Sequence, residues 1–418
     1  MPDFKFRLPA IVDLTFAQQI AFDEREKSLL VTGGPGSGKT VVSIYRYQRE
    51  LMENQDTIFF THHRTLIASI RGTFRQQADV LMPGLSEYEI ERLLDKSVSS
   101  MTSWYSRQFG SYLPDESDES IIAKIQSIEN PMVHNFTEIF IDEAQDLKPV
   151  VLDAMIILAE KLTYGADRAQ DLNGHYIEPA DEYIRKLLIG RGKEVAHQEL
   201  TQNFRNTKQI FEFARKFVPE DIGVQDIDVT ELNDGDRPEL MQIPLNEQLA
   251  LIVNIIKENP NSNIGILVHF YKQINIIRDH LIANGFSCDA NAAEENSFSY
   301  YYVNESMNME HRNIMERNLR SPFIITFDSC KGLEFDIVIM PIFESSNWAM
   351  NNAKKKRDTE EPDTFANGSI KYFASRNHYY VACTRARGQL YLMYAYKPDI
   401  LDFYNENDNR KNTDDLPF

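Results

Sequence analysis

Residues 33–40, with the sequence GGPGSGKT, combine four glycines with a lysine and a threonine. Glycines let backbone N–H groups turn inward onto phosphate oxygens at the start of a helix. The segment matches the pattern G-x-x-x-x-G-K-[ST], follows an apolar run and precedes a helical pattern, whereas a simple glycine-rich turn needs no such context. We predict a loop that binds the phosphates of ATP, formed by Gly33, Gly34, Pro35, Gly36, Ser37, Gly38, Lys39 and Thr40.

Two acidic residues are candidates for binding the metal ion and activating the water that ATP hydrolysis requires. The stretch EIFIDEAQDL, residues 138–147, is a predicted strand that ends at Asp142 and Glu143. Acids at a strand end are often a solvated turn. About a hundred residues after a phosphate-binding loop, however, we predict that Asp142 and Thr40 hold Mg²⁺, that Lys39 reaches the β and γ phosphates, and that Glu143 activates water.

Short apolar runs that alternate with amphipathic segments predict the elements that position these residues. SLLVTG, TIFFTH, TEIFIDE and KLTYGAD are typical of buried strands, and TVVSIYRYQRELME and PVVLDAMIILAEKL have helical spacing. The alternation restarts after residue 196, from RPELMQIP to DIVIMPIF. We predict an α/β protein with two consecutive parallel-sheet units, residues 1–195 and 196–400, and a flexible acidic tail, 401–418.

Composition narrows the class of protein. The 418 residues carry a formal net charge of −19, which argues against a protein that coats polyanions over its whole surface. The three cysteines lie far apart, which argues against a disulfide framework or structural zinc. The first residues lack the apolar core of a signal peptide, and no apolar stretch is long enough to span a bilayer. We predict a soluble cytoplasmic protein with no membrane contact.

Nine segments occur in the order typical of superfamily 1 helicases of the UvrD/Rep/PcrA type, which the chain resembles over roughly residues 10–395. Besides GGPGSGKT and DEAQD they are LTFAQQIAF, FFTHHRTL, SSMTSWYSRQF, GADRAQDL, LTQNFRN, TFDSCKGLEFD and YYVACTRAR. The resemblance implies two RecA-like motor domains in tandem, the architecture of a P-loop NTPase, with ATP and Mg²⁺ bound between them.

The resemblance also implies roles for individual residues. Around the nucleotide it places Gln18 on the adenine edge, Phe204 on the adenine face and Glu334 near the ribose. At the γ-phosphate it places Gln170 as a sensor and Arg205 and Arg385 as cations, with Arg385 the arginine finger. Positioned arginines suit a transition state that spreads negative charge, although an arginine on a turn is usually only a surface residue.

Five residues are candidates for contact with nucleic acid: His62, Arg64, Trp104, Tyr105 and Lys331. The two aromatic rings suit stacking on bases, which tolerates any sequence, although Trp104 equally suits a core position. The basic run KKKR at 354–357 is either a phosphate contact or a solvated loop. The expected nucleic acid is single-stranded DNA, and the sequence does not exclude RNA.

The chain departs from the family in its size and in several contacts. The large accessory insertions are absent, polar stretches at 75–98, 111–135 and 345–370 interrupt the core, and residues 291–313 are predicted to be a remnant of one insertion. Val41, Ala166 and Asp328 replace the family's usual arginine, glycine and histidine. We therefore predict a compact motor, a largely stripped relative without the 1B and 2B domains, with intact ATP hydrolysis and weaker strand binding.

The resulting hypothesis is an ATP-dependent translocase or helicase that moves 3′ to 5′ on single-stranded DNA in DNA repair or phage defence. Two alternatives remain: a DNA-gated ATPase subunit that powers a partner nuclease, and a non-unwinding remodeller of a protein machine. The final residues, DDLPF, resemble the acidic tip of bacterial single-stranded-DNA-binding (SSB) protein. That resemblance predicts docking in pockets that recognise such tips, against the alternative of a frayed tail.

Overall fold

The computed structural model describes residues 4–53, 55–128, 135–167, 170, 179–218, 227, 229–288, 296–301, 319–343 and 376–402. These residues form two six-stranded sheets whose strands are all parallel, with helices on both faces of each. The fold class is therefore the predicted one, two RecA-like α/β domains in tandem. None of the described helices is long and apolar enough to cross a lipid bilayer.

The first sheet has the strand order β3-β2-β4-β5-β1-β6. Its strands are β1 (Ser28–Gly33), β2 (Thr57–Thr61), β3 (Val98–Ser99), β4 (Phe136–Asp142), β5 (Ala159–Ala166) and β6 (Val195–Leu200). Side chains alternate between two cores, so Ile139 and Ile141 pack on one face of the sheet and Phe140 on the other. The phosphate-binding loop follows the central strand β1, at the carboxyl edge where neighbouring strands also end.

Nine helices surround the first sheet in the described part of the chain. They are α1 (Phe16–Asp23), α2 (Lys39–Met52), α3 (Arg64–Gln76), α4 (Ala78–Leu81), α5 (Glu87–Ser97), α6 (Met101–Phe109), α7 (Asp118–Ile128), α8 (Pro149–Leu158) and α9 (Ala180–Gly190). Two begin with capping boxes, in which Thr15 and Ser86 accept a hydrogen bond from the backbone three residues later. The polar stretches 75–98 and 111–135 therefore contain ordered helices.

The second sheet has the strand order β7-β12-β11-β8-β10-β9. Its strands are β7 (Glu239–Gln242), β8 (Ile264–Val268), β9 (Ser299–Tyr301), β10 (Phe323–Thr326), β11 (Phe335–Met340) and β12 (Ala386–Tyr394). The described helices around it are α10 (Lys208–Arg215), α11 (Leu245–Glu258), α12 (Tyr271–Ala283) and α13 (Arg376–Cys383). Isoleucines from β8, β10 and β11 share one core with α11 and α12, while α10 and α13 cover the other face.

Three details differ from the predictions. Strand β6 pairs with β1 along its whole length, so the first sheet ends at Leu200 and not at residue 195. Strand β9 lies within residues 291–313, so this segment is partly a strand of the motor sheet itself and not only a remnant insertion. Strand β5 begins at Ala159, inside the predicted helix. Strands β6 and β9 lie at the edges of their sheets, pair on one side only, and lack the long apolar run by which interior strands are predicted.

An N-terminal arm, residues 4–9, joins the two domains. On the second domain, Phe4 packs edge-on against Phe335 with ring centroids 5.7 Å apart, and Arg7 forms a 2.6 Å ion pair with Asp336. On the first domain, Gln76 Nε2 donates to the Phe4 carbonyl at 2.7 Å. The arm therefore spans the boundary between the domains.

Candidate active site

The phosphate-binding loop leaves β1 and enters α2 through two glycines with positive φ. Gly36 has φ 72° and Gly38, the N-cap of α2, has φ 90°, a region that other L residues rarely adopt. A Cβ on Gly36 would lie 2.6 Å from the Cβ of Arg205, and one on Gly38 would lie 2.3 Å from Gln18 Nε2. Both glycines are therefore required by backbone conformation and by close approach.

Lys39 lies inside the loop it follows. Its Nζ donates to the carbonyl oxygens of Gly33 and Gly34 at 2.7 and 3.0 Å, and lies 3.7 Å from Asp167 Oδ2. The side chain is almost fully buried, so the ammonium group is held at the floor of the loop. This position is where the sequence pattern places a phosphate-binding lysine.

Asp142, at the end of β4, and Thr40, at the start of α2, bring their side-chain oxygens together. Thr40 Oγ1 donates to Asp142 Oδ2 at 2.6 Å, and within the described residues Asp142 Oδ1 is buried without a hydrogen-bond partner. Burial, with the nearby charge of Glu143, raises the pKa of Asp142 to about 6. A buried carboxylate oxygen without a donor beside a threonine hydroxyl fits Mg²⁺, which prefers oxygen ligands.

Glu143 has the left-handed conformation, with φ 55°. This conformation costs a non-glycine residue about 1–3 kcal/mol and is concentrated at functional sites. Glu143 lines a cleft beside the phosphate-binding loop, and its Oε2 accepts a hydrogen bond from Gln145 Nε2 at 2.5 Å. The turn therefore places the side chains of Glu143 and Asp142 in different surroundings, although the two residues are adjacent in sequence.

Arginines of the second domain face the loop across the cleft. Arg205 Nε pairs with Glu334 Oε2 at 3.3 Å, and Arg387 Nη1 pairs with the other carboxylate oxygen, Oε1, at 3.1 Å. Burial, followed by the positive charge of Arg385, lowers the pKa of Arg205 to about 10, so the guanidinium remains protonated at neutral pH. Arg387 was not among the predicted site residues, although its spacing of two from Arg385 at the start of a strand indicates a shared side.

Arg385 connects the two domains through Gln170. Its Nη2 donates to Gln170 Oε1 at 2.8 Å, and Gln170 Nε2 donates in turn to Asp167 Oδ2 at 2.6 Å. Asp167 is the carboxylate that lies near Lys39. A chain of polar contacts therefore runs from the phosphate-binding loop to the arginine of the second domain.

The other end of the cleft holds the residues predicted to contact the base. Gln18 Nε2 donates to the Ser37 carbonyl at 3.0 Å, and its Oε1 accepts from the Thr15 backbone N–H. Phe204 is 52% exposed, and its backbone N–H donates to the Gly36 carbonyl at 2.9 Å. The phenyl ring is therefore held beside the loop with much of its surface open.

These residues line one cleft of about 610 Å³. Its lining includes most of the predicted nucleotide residues: Gln18, Pro35, Gly36, Ser37, Gly38, Lys39, Thr40, Glu143, Gln170, Phe204, Arg205, Glu334 and Arg385. The N-terminal arm, residues 4–9, forms a further wall. This wall was not predicted, because an arm without a periodic pattern does not indicate what it packs against.

Two of the predicted nucleic-acid contacts are fully buried side chains. Lys331 is fully buried: its Nζ donates to both carboxylate oxygens of Asp146 at 2.8 Å and to the Gln170 carbonyl. Tyr105 is also fully buried, in the apolar core of the first domain. Neither side chain reaches a strand on the surface.

The other three candidates lie nearer the surface. Trp104 is half-buried and packs edge-on against Phe60, Phe109 and Phe136, at the margin of the core. His62 is exposed, and Arg64 lies at the start of α3. The KKKR segment and the DDLPF tip lie outside the described residues, as does the polar stretch 345–370, so the hypotheses on them remain predictions.

Comparison with known families supports the predicted resemblance to helicases. Residues 289–397 match the family described as the UvrD-like helicase C-terminal domain. The matched residues contain strands β9 to β12 and both Glu334 and Arg385. This part of the second domain is therefore helicase-like. No curated protein matches the chain.

Solved structures with a similar fold include one of a possible DNA helicase and two of a viral helicase. The C-terminal domain of a possible DNA helicase from Lactobacillus plantarum WCFS1 is 16% identical over 49% of this chain and 95% of its own, with a TM-score of 0.30. Arterivirus nonstructural protein 10 (helicase) is 15% identical over 92% of this chain, with a TM-score of 0.36. The complex of the same viral protein with DNA is 14% identical over 92% of this chain, with a TM-score of 0.35. The chain spans 63% and 64% of those viral chains, less than two thirds of their length.

Proposed function

We propose that this protein is a Mg²⁺-dependent ATPase that moves along single-stranded DNA. The observation that carries the proposal is the contact between Arg385 and Gln170, which brings an arginine of the second domain to the loop and carboxylates of the first. A cleft with a phosphate-binding loop on one wall and arginines on the other has the parts that phosphoryl transfer requires. The family match of residues 289–397 supports the same conclusion.

In this proposal each residue has a separate task. Lys39 and the backbone N–H groups of the loop bind the phosphates, and Thr40 and Asp142 hold Mg²⁺. Bound there, Mg²⁺ would supply positive charge that offsets the negative charge of the phosphates. Glu143 accepts the proton of the attacking water, while Arg205 and Arg385 stabilise the charge that develops in the transition state.

The position of the cleft between the two domains supports the proposal of movement on nucleic acid. Both walls must approach for the arginines to act, so ATP binding favours closure of the domains and product release favours opening. In our proposal the strand is single-stranded DNA, the direction is 3′ to 5′, and the setting is cytoplasmic DNA repair or phage defence. The alternative within this proposal is that a partner nuclease or another protein machine receives the motion.

The deciding experiment measures ATP turnover by the purified chain with and without single-stranded DNA, and unwinding of a labelled fork. Stimulation with unwinding supports a helicase, and stimulation alone supports a translocase or a DNA-gated ATPase subunit. Turnover indifferent to DNA and RNA contradicts the proposal and favours the remodeller. The Lys39→Ala variant serves as the control for contaminating ATPases.

A further inference from the structure

The N-terminal arm, residues 4–9, brings a further arginine into the nucleotide cleft. In the described part of the chain the arginines that line this cleft are Arg7, Arg205, Arg385 and Arg387. The Arg7 side chain is 43% exposed, compared with 13% for Arg205 and 29% for Arg387. Arg7 is therefore a cation that a ligand in the cleft can reach.

The backbone is anchored on both sides of Arg7. Before it, the Lys5 N–H donates to Asn263 Oδ1 at 2.9 Å, and Asn263 Nδ2 donates back to the Lys5 carbonyl at 2.7 Å, which ties the arm to the second domain. After it, the Tyr45 hydroxyl on α2 donates to the Pro9 carbonyl at 2.6 Å, which ties the arm to the first domain. The backbone alone therefore holds Arg7 between the two domains.

The guanidinium of Arg7 is oriented by a carboxylate that is itself held in place. Arg7 Nη2 pairs with Asp336 Oδ1 at 2.6 Å, while Asp336 Oδ2 accepts a hydrogen bond from the Asn263 N–H at 2.9 Å. An ion pair of this kind uses one edge of the planar guanidinium, and a face of the same group can still stack on an aromatic ring. Asp336 therefore orients Arg7 and leaves it able to stack.

The part of the cleft predicted to hold the base has one aromatic face, the exposed ring of Phe204. Val41, which follows the phosphate-binding loop on α2, also lines the cleft but offers only apolar contact. The arm lies beside this part of α2, because Leu8 packs against the same apolar cluster as Val41 and Tyr45, one turn further along, binds the arm. Arg7, next to Leu8, is the cation that the arm brings to this region.

The other arginines of the cleft are engaged elsewhere. Arg205 and Arg387 share the carboxylate of Glu334, and Arg385 donates to Gln170. In the proposed function Arg205 and Arg385 act at the phosphates. A base bound beside Phe204 would therefore find its cation in the arm.

We propose that Arg7 binds the base of the nucleotide. The face of its guanidinium stacks on the adenine ring on the side opposite Phe204, while its edge stays paired with Asp336. The proposal rests on the proposed function and extends it, because it gives a binding role to a segment that precedes the region of resemblance. A base held by an arm that is anchored on both domains adds to the contacts through which ATP favours their approach.

The test compares two probes in the presence of Mg²⁺: the non-hydrolysable ATP analogue AMP-PNP, and inorganic tripolyphosphate, which has no base or ribose. Calorimetric titration measures the binding of each. Arg7→Ala should weaken AMP-PNP binding at least about fivefold, in the range for a cation on an aromatic face, and leave tripolyphosphate binding unchanged. In steady-state kinetics the KM for ATP should rise with little change in kcat.

Two results of this comparison would overturn the proposal. Unchanged binding of AMP-PNP by the Arg7→Ala protein would mean that Arg7 does not bind the nucleotide. Equal weakening of AMP-PNP and tripolyphosphate would mean that Arg7 contacts the phosphates and not the base.

A conservative variant separates stacking from the ion pair. Lysine in Arg7→Lys keeps the positive charge and can still pair with Asp336, but it has no planar face. The Arg7→Lys protein should therefore recover little of the AMP-PNP affinity that Arg7→Ala loses. Wild-type affinity in Arg7→Lys would show that the link to Asp336 is sufficient, and the stacking role would be wrong.

A second-site variant supplies the missing group from the other side of the cleft wall. Val41 lines the cleft on α2, so Arg7→Ala/Val41→Arg returns a guanidinium to the same region from a different element. We expect the double variant to regain AMP-PNP affinity relative to Arg7→Ala. An absence of recovery would mean that the loss in Arg7→Ala comes from a displaced arm, and would count against the proposal.

The matched control is Arg25→Ala. Arg25 is an exposed arginine of the first domain that pairs with Glu53 at 2.9 Å and is not among the residues that line the nucleotide cleft. The control should bind both probes like the wild type, and an AMP-PNP loss equal to that of Arg7→Ala would overturn the proposal. Thermal unfolding confirms that each variant is folded.

Failure of this proposal is distinguishable from failure of the proposed function. A wild-type protein that hydrolyses ATP, with Arg7 variants that bind AMP-PNP equally well, leaves the ATPase proposal intact and removes Arg7 from the base site. A wild-type protein that binds neither AMP-PNP nor ATP contradicts both.

Discussion

The two walls of the nucleotide cleft are built differently. The first-domain wall consists of backbone N–H groups, one lysine and two carboxylates, all within a few residues of the ends of β1 and β4. The second-domain wall consists of Arg205 and Arg387, which both pair with Glu334, and of Arg385, which is only 1% exposed. In the proposed function the first wall binds phosphates unaided, whereas the second supplies charge only when the domains meet. In the proposed mechanism, binding and turnover are therefore separable properties.

The largest effect is expected from a substitution in the second-domain wall. Arg385→Ala should lower kcat by about 10³–10⁵, as for arginine fingers generally, while ATP affinity changes only a few-fold. Steady-state kinetics and binding of a fluorescent ATP analogue provide the two readouts. Arg387→Ala, two residues along, is the matched comparison and should cost less, since its guanidinium pairs with Glu334. An equal loss in kcat and affinity would show that Arg385 binds the ground state.

The next effect separates roles within the first wall. Glu143→Gln should lower kcat by about 10²–10⁴, the range for a positioned general base, and should leave ATP binding intact. Lys39→Ala should instead lose both ATP binding and turnover, because the ammonium group lies inside the loop. Normal turnover by the Glu143→Gln protein would remove Glu143 from the role of base.

A third prediction concerns the contact that holds the walls together. Lys331→Met should destabilise the protein by about 3–5 kcal/mol, because it leaves the Asp146 carboxylate buried without its main counter-charge. Burial alone would raise the pKa of Asp146, but Lys331 and His63 together hold it well below its ordinary value. Chemical denaturation measures the loss.

The control for this prediction replaces both partners. Lys331→Met/Asp146→Leu should recover much of the stability, because a buried ion pair is often replaceable by apolar residues of similar size. If the single variant unfolds at the wild-type denaturant concentration, the pair does not stabilise the domain contact.

The smallest effect concerns the N-terminal arm. A Cβ on Gly72 would lie 2.2 Å from the ring of Phe6, so Gly72→Ala should displace the arm and cost about 1–3 kcal/mol. Gly190→Ala, where a Cβ meets nothing within 4 Å, is the matched control and should be neutral or slightly stabilising. Thermal unfolding of the two variants provides the comparison, and equal midpoints would mean that the arm yields without cost.

Local patterns predicted most of the fold and the first wall. The central strands β1, β4, β8 and β11 are runs of branched residues, and the loop of residues 33–40 has fixed spacing, so neighbours in sequence determine both. Arg205 and Arg385 came from resemblance, and the structure brings both to the cleft.

The amino-acid sequence by itself determined the alternating α/β pattern, the glycine-rich loop and the paired acids, because each depends on residues a few positions apart. Tertiary structure decided the burial of Lys331, whose partner Asp146 lies 185 positions away, and the burial of Tyr105. It also decided that the N-terminal arm, residues 4–9, forms a wall of the cleft. The physical reason is that burial and electrostatic fields depend on which distant surfaces meet, and hydrophobic periodicity does not specify that partner.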